Sequence, residues 1–171
     1  KPVGNGFLLP AGPLREPISG RRRAHVIFAR SNYKVLEKIA QKEKIPILEF
    51  DYIVEGVCNK QGPVSLPDLE GKDVIAFCGI ANPESFQSTL AELKVNILEF
   101  KTFQDHHQYT ANDIELLCNC SQRFAPKIII TTEKDWVKLP IEELDDSWLF
   151  VRVRLKPKED DFLVSRFEML I

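Results

Sequence analysis

Short apolar runs alternate along this chain with stretches in which apolar residues recur every three or four positions, the signature of strands exchanged with amphipathic helices. Ala24-His25-Val26-Ile27-Phe28-Ala29 is apolar and partly β-branched. Tyr33 to Lys44 follows, with Val35, Leu36, Ile39 and Ala40 on one helical face. Ile47 to Val54 reads as a second strand. A segment punctuated by Gly56, Gly62, Pro63 and Pro67 then leads to the strongest strand, Asp73 to Cys78, which Gly79 ends. Asn82-Pro83 has the form of a helix start, an Asn cap with Pro at the first helical position, and Phe86, Leu90 and Leu93 supply a buried stripe up to Lys94.

Val95 to Phe100 returns as a strand. Thr110-Ala111-Asn112-Asp113 forms a capping box ahead of a helix carrying Ile114, Leu116 and Leu117. Lys127 to Thr131 is another buried strand, Thr132 to Leu139 a short helix and Trp148 to Leu155 an alternating strand. Such β-α alternation predicts a Rossmann-like α/β fold, an open and mostly parallel sheet with helices on both faces. In that architecture ligands gather at the carboxyl ends of the strands, where Gly79, Asp105 and Thr131 fall.

Length and charge narrow the picture. At 171 residues, 44% hydrophobic, the chain is sized for one well-packed domain. Its 23 Lys and Arg against 25 Asp and Glu give no overall pull toward nucleic acid, so any basic site is local. Cys58, Cys78, Cys118 and Cys120 are irregularly spaced and favour reduced thiols, and no apolar run nears the ~20 residues of a spanning helix, which predicts a soluble fragment. The chain begins at Lys1 with Met169 as its single methionine, so the expectation is that a preceding portion is absent.

The chemistry concentrates in Asp105-His106-His107, two of the three histidines beside a carboxylate in a loop-like segment. An imidazole titrates near neutrality, so one held by a carboxylate can take or give a proton during a reaction. The alternative is that Asp105 and His106 cap the next helix or satisfy loop amides. Cys118-x-Cys120 invites a zinc reading, but on a helix the two thiols point about 200° apart.

Four ordered segments carry a resemblance. They are Leu9-Pro10-Ala11-Gly12-Pro13-Leu14-Arg15-Glu16-Pro17, Phe77 to Phe86, Asp105-His106-His107 with Tyr109-Thr110, and Thr131-Thr132-Glu133-Lys134-Asp135-Trp136-Val137-Lys138-Leu139. Over roughly residues 4 to 139 the chain resembles the tetraacyldisaccharide 4'-kinases of lipid A synthesis. The resemblance implies transfer of a phosphoryl group from ATP, with Mg2+, to the 4'-hydroxyl of a tetraacylated disaccharide 1-phosphate. The implied setting is the cytoplasmic face of a Gram-negative inner membrane, with the enzyme peripheral and the product lipid IVA. One departure is decisive. A P-loop needs Gly-x-x-x-x-Gly-Lys-Ser/Thr, and the sole Gly-Lys pair, Gly71-Lys72, is followed by Asp73 and preceded at the required position by Leu66. Residues 1–23 are therefore expected to link to a missing phosphate-binding half, with 24–171 as the C-terminal α/β domain, inactive alone.

The resemblance implies that His106, with Asp105, supports a catalytic Asp of the missing half that removes the hydroxyl proton. Arg15 could grip phosphate oxygens, and Glu16 could hold magnesium or orient that Arg. The bland alternative is a Pro- and Gly-shaped turn with Arg15-Glu16 as an exposed ion pair. Arg21-Arg22-Arg23 could touch a lipid phosphate or form a solvated face, and the helix start at Asn82-Pro83-Glu84 could receive an anion or be a cap alone. Lys134 and Asp135 could contact nucleotide or close the domain interface, or form an internal salt bridge or helix cap. Two other functions compete: a non-catalytic nucleotide- or sugar-binding module, and a two-metal Asp-His-His phosphoesterase, which needs further Asp clusters that this sequence lacks.

Overall fold

The computed structural model describes residues 4–30, 42, 44–124 and 128–158. The chain divides into two compact units, Lys1–Tyr52 with Leu155–Ile171, and Ile53–Arg154. The helix expected over Tyr33 to Lys44 lies almost wholly outside the described residues.

In the first unit, β1 (Ile27–Arg30) runs parallel to the opening residues of β2 (Ile47–Asn59), in the register Ile27↔Ile47 to Arg30↔Phe50. The Leu-Pro-Ala-Gly segment is a closed loop. Asn5 Nδ2 donates to the Ala11 carbonyl (2.9 Å), Asn5 Oδ1 accepts the Phe7 N–H (3.1 Å), and Leu8 bridges Leu14. Gly12 is required there, because a Cβ would stand 2.1 Å from Asn5 Oδ1 and 2.4 Å from the Phe7 carbonyl oxygen. A 3-10 turn over Ile18–Arg23 follows.

The second unit holds the rest of β2, then β3 (Gly62–Val64), β4 (Asp73–Cys78), α1 (Pro83–Glu92), β5 (Asn96–Thr102), α2 (Ala111–Phe124), β6 (Ile128–Thr132), α3 (Glu133–Trp136) and β7 (Trp148–Pro157). The last residues of β7 belong to the first unit. Across the second unit the strands are ordered β2-β7-β6-β4-β5. The pairs β4·β5, β4·β6 and β6·β7 are all parallel, as the β-α alternation requires.

β4 is the centre of this arrangement and its side chains alternate between two cores. Val74, Ala76 and Cys78 pack with Phe86 and Leu90 of α1, whereas Ile75 and Phe77 pack with Leu117 of α2 and Trp136 of α3. Helices therefore cover both faces. The chain leaves β4 through α1 to β5 on one side, then crosses through α2 to β6 on the other side of β4. That reversal makes the carboxyl end of β4 a topological switch point, the place where open α/β sheets bind ligands.

Both expected helix starts form. The Asn82 side chain accepts the Ser85 N–H with Pro83 at the first turn, and Thr110 and Asp113 exchange bonds as a capping box, Thr110 N–H to Asp113 Oδ2 at 2.8 Å and Asp113 N–H to Thr110 Oγ1 at 3.3 Å. Two elements differ from expectation. β2 continues to Asn59, past Val54, and the Gly62-Pro63 segment forms β3, which pairs antiparallel with β2 through Val57↔Val64 and Cys58↔Pro63. Asn59 Oδ1 closes the turn by accepting the N–H groups of Gln61 and Gly62. Pro63 pointed to a loop, yet a three-residue edge strand tolerates it because nothing further must receive its missing N–H.

Leu116 and Leu117 are neighbours on α2 that meet opposite surroundings, the first 43% exposed and the second fully buried. Leu117→Ala is expected to cost about 2–5 kcal/mol and Leu116→Ala no more than about 0.5 kcal/mol. Urea unfolding of the two variants checks the placement of the α2 face.

Candidate functional site

The loops that follow β4, β5 and β6 start side by side, because Cys78 is in register with Thr102 and Ala76 with Ile130. Gly79 follows β4, Phe103 to Thr110 follow β5, and α3 follows β6 at once. Four of the sequence-derived candidates, Asp105, His106, Lys134 and Asp135, come together here. Arg15 and Glu16 belong to the other compact unit.

His106 is held in a left-handed conformation with φ of 62°, a backbone state that L-residues with a Cβ adopt at a cost. Its N–H donates to the Gly79 carbonyl (3.3 Å), and the next residue's N–H returns to the Gln104 carbonyl (3.0 Å). This tight turn throws the His106 ring outward, where its side chain is 76% exposed, with Nε2 3.8 Å from Asp105 Oδ2. Asp105 is itself engaged by Lys134, whose Nζ donates to Oδ1 at 3.0 Å. The Lys134 hydrogen bond is the main cause that holds the Asp105 carboxyl below its usual range, so the pair stays ionised.

His107 turns the other way. Its ring stacks on Phe103 with centroids 4.8 Å apart, meets Tyr109 edge-on, and places Nε2 3.1 Å from Asp113 Oδ2. The capping box of α2 thus extends to a histidine, and His107 is a packing and capping residue. The Thr110 backbone bond, the largest cause, lowers the Asp113 carboxyl against its burial, with the Thr110 hydroxyl and His107 adding to it.

Asp135 lies inside the protein. Its Oδ2 accepts the Gly79 N–H (2.9 Å) and the Thr132 hydroxyl (2.8 Å), and Lys138 Nζ reaches Oδ1 at 2.8 Å. Of the readings open for Asp135, this geometry is an internal salt bridge and helix cap. Burial, the largest influence, favours the neutral acid, yet the bonds from Lys138, Gly79 and Thr132 together win and lower its pKa. Their own burial, and after it the Asp135 charge, raises the Cys78 thiol to about 11 and pushes the Tyr109 phenol upward, so both stay protonated.

In the first unit, Arg15 is exposed and Glu16 pairs with Arg23 in place of Arg15; both members of that ion pair are mostly solvated, where such a pair contributes little. Sequence reasoning gave no role to Thr132, Lys138 or Tyr109. The signal for two of them was present as the i, i+3 spacings Thr132–Asp135 and Asp135–Lys138 at a helix start.

The family of tetraacyldisaccharide-1-P 4'-kinases, LpxK, matches residues 1–170. This chain belongs to that family. Tetraacyldisaccharide 4'-kinases from Halothermothrix orenii and Syntrophobacter fumaroxidans are 34% and 36% identical to it, over 84% and 81% of this chain. That of Rickettsia rickettsii is 35% identical over 94% of it. The matches cover 43%, 39% and 46% of those relatives, so the chain spans less than half the length of each. The crystal structure of "apo" form LpxK from Aquifex aeolicus in complex with ATP superposes with a TM-score of 0.66 at 25% identity, covering 96% of this chain and 48% of that one. The mixed α/β fold with its mostly parallel sheet is thus the kinase family's fold.

The capping box yields a pH test. Because the folded-state pKa of Asp113 is depressed, its contribution is complete above the unfolded value near 3.9 and is lost as pH falls through the folded value. Asp113→Asn is expected to cost about 1 kcal/mol at pH 7, with the gap from the parent closing in acid below about pH 4. Denaturant midpoints measured from pH 7 to pH 2.5 check this, and a gap that stays constant would show that the carboxylate charge plays no part.

Proposed function

We propose that this chain is the C-terminal part of an ATP-dependent kinase that phosphorylates the 4'-hydroxyl of a tetraacyldisaccharide 1-phosphate. Membership of the family supports the reaction, and the ATP complex of the Aquifex relative supports the phosphoryl donor. The observation that carries the reading is the outward presentation of His106 beside Asp105 at the switch-point end of the sheet.

In this reading His106 faces the sugar hydroxyl or a carboxylate supplied from the remaining family length, and assists removal of the hydroxyl proton. Phosphoryl transfer asks a protein chiefly for positioning and charge neutralisation, so a proton acceptor in a fixed turn suits it. Lys134 spends one of its three N–H donors on Asp105 and keeps two that can meet an anionic oxygen. Arg15 is proposed to contact a phosphate.

Among the described residues no group of three or more His, Cys, Asp or Glu could hold a metal ion, and the sequence has no P-loop. We therefore assign Mg2+ and the nucleotide phosphates to residues of the family length that this chain does not span. Glu16, the carboxylate that could hold magnesium, is engaged by Arg23. We propose a peripheral position at the cytoplasmic face of the inner membrane, in keeping with a lipid substrate and with the absence, among the described residues, of a helix long and apolar enough to cross a membrane.

Within a kinase of family length carrying these residues, His106→Ala is expected to lower kcat by about 10²–10⁴-fold with KM changed far less. His107→Ala should act mainly on stability, through its lost contacts with Phe103 and Asp113. Steady-state kinetics with thermal melts on both variants separate the roles, and near-normal turnover of His106→Ala would remove His106 from the mechanism. For Arg15→Ala the expected loss is about 1.5–3 kcal/mol in kcat/KM, the worth of a charge-assisted hydrogen bond, at an unchanged Tm. Parallel loss of Tm and activity would return Arg15 to a structural turn.

A further inference from the structure

Among the described residues Asp135 is the only buried charged side chain, and nothing in the proposed chemistry uses it directly. A buried ion pair such as Asp135–Lys138 is a poor source of net stability, because desolvating both groups offsets most of their attraction. Its value lies in what it holds in place. The Asp135 carboxylate receives the Gly79 N–H at 2.9 Å, and the carbonyl of that same Gly79 receives the N–H of His106. One residue therefore connects a charge fixed in the core to the strained turn that aims the exposed imidazole.

The surroundings leave that link no slack. A Cβ on Gly79 would meet the Gln104 carbonyl oxygen and the Tyr109 hydroxyl at 3.1 Å, and Asp135 Oδ1 at 3.3 Å. Three parts of the Asp105-His106 environment thus converge on one glycine. Thr132 fixes the carboxylate reciprocally, its hydroxyl donating to Asp135 Oδ2 while accepting the Asp135 N–H at 3.1 Å. Lys134, the preceding residue of α3, reaches outward to Asp105. The short helix therefore holds the loop at two points, through the Gly79 backbone and through the Asp105 carboxylate.

We propose that Asp135 is a positioning residue for His106, acting through the Gly79 peptide and with its own charge fixed by Lys138 and Thr132. The inference rests on the kinase reading for its effect on turnover, but the link itself can be measured without activity. A carboxylate that only stabilised the core would change folding and leave the conformation of His106 in the folded state untouched.

The test is Asp135→Asn, which keeps the side-chain shape and removes the charge. In the 171-residue chain, the His106 three-bond amide–Hα coupling and amide exchange rate are recorded by NMR, beside thermal unfolding. The expected result is a folded variant whose His106 coupling departs from the left-handed value and whose His106 amide exchanges faster. In a kinase of family length, kcat should fall by about 10²-fold, as for a misplaced catalytic group, with KM within about threefold. In a His106→Ala background the same change should cause no further loss of kcat. Unchanged His106 signals in folded Asp135→Asn, or an equal kcat loss in both backgrounds, would overturn the proposal. If Asp135→Asn does not fold, Gly79→Ala, which leaves the carboxylate in place and presses on Gln104 and Tyr109, should move the same His106 signals; their constancy would overturn it equally. Normal turnover of His106→Ala would instead overturn the functional reading, and the His106 signals would still decide the link to Asp135.

Discussion

Everything at the candidate site depends on β4 being buried on both faces. A strand whose side chains from Val74 to Cys78 all need cover must find a helix on each side. α1 supplies Phe86 and Leu90 to one face, and α2 and α3 supply Leu117 and Trp136 to the other. To cover both faces the chain reverses direction across the sheet at β4, and the loops that follow β4, β5 and β6 meet at its carboxyl end. Gly79 stands at that meeting point, where three converging neighbours crowd the place a Cβ would take.

The same constraint explains what the sequence made legible. The apolar run Val74 to Cys78 and the cap signals Asn82-Pro83 and Thr110-x-x-Asp113 are local, so each could be read in place and each forms where expected. Asp105-His106 could be read as chemistry because histidines are few and the strand ends are where parallel sheets place ligands. The division of labour between His106 and His107 could not. It comes from the left-handed turn at His106 and from Phe103 and Tyr109, which meet the second ring only once β5 and α2 are packed. The antiparallel β3 was hidden for a different reason: its pairing with Val57 and Cys58 is tertiary, while Gly62 and Pro63 signal a turn locally.

Asp135 shows where sequence reading stops. Its sequence position left a nucleotide contact, a domain-interface role, an internal salt bridge and a helix cap all open. In the packed helix α3 Lys134 points outward to Asp105 and Asp135 inward to Gly79. Only the packed structure reveals that neighbouring residues of one helical turn address the same loop from opposite sides.

That opposition makes the two attachments answer differently to the solution around them. The Lys134–Asp105 contact lies at the surface, with its side chains 46% and 38% exposed, whereas Lys138–Asp135 has 14% and 0%. Mobile ions screen exposed charges over about 8 Å at physiological ionic strength and reach buried ones far less. Rising salt would therefore loosen the outer attachment of the Asp105-His106 loop while leaving the inner one taut, turning a loop pinned at two points into one that pivots about Gly79.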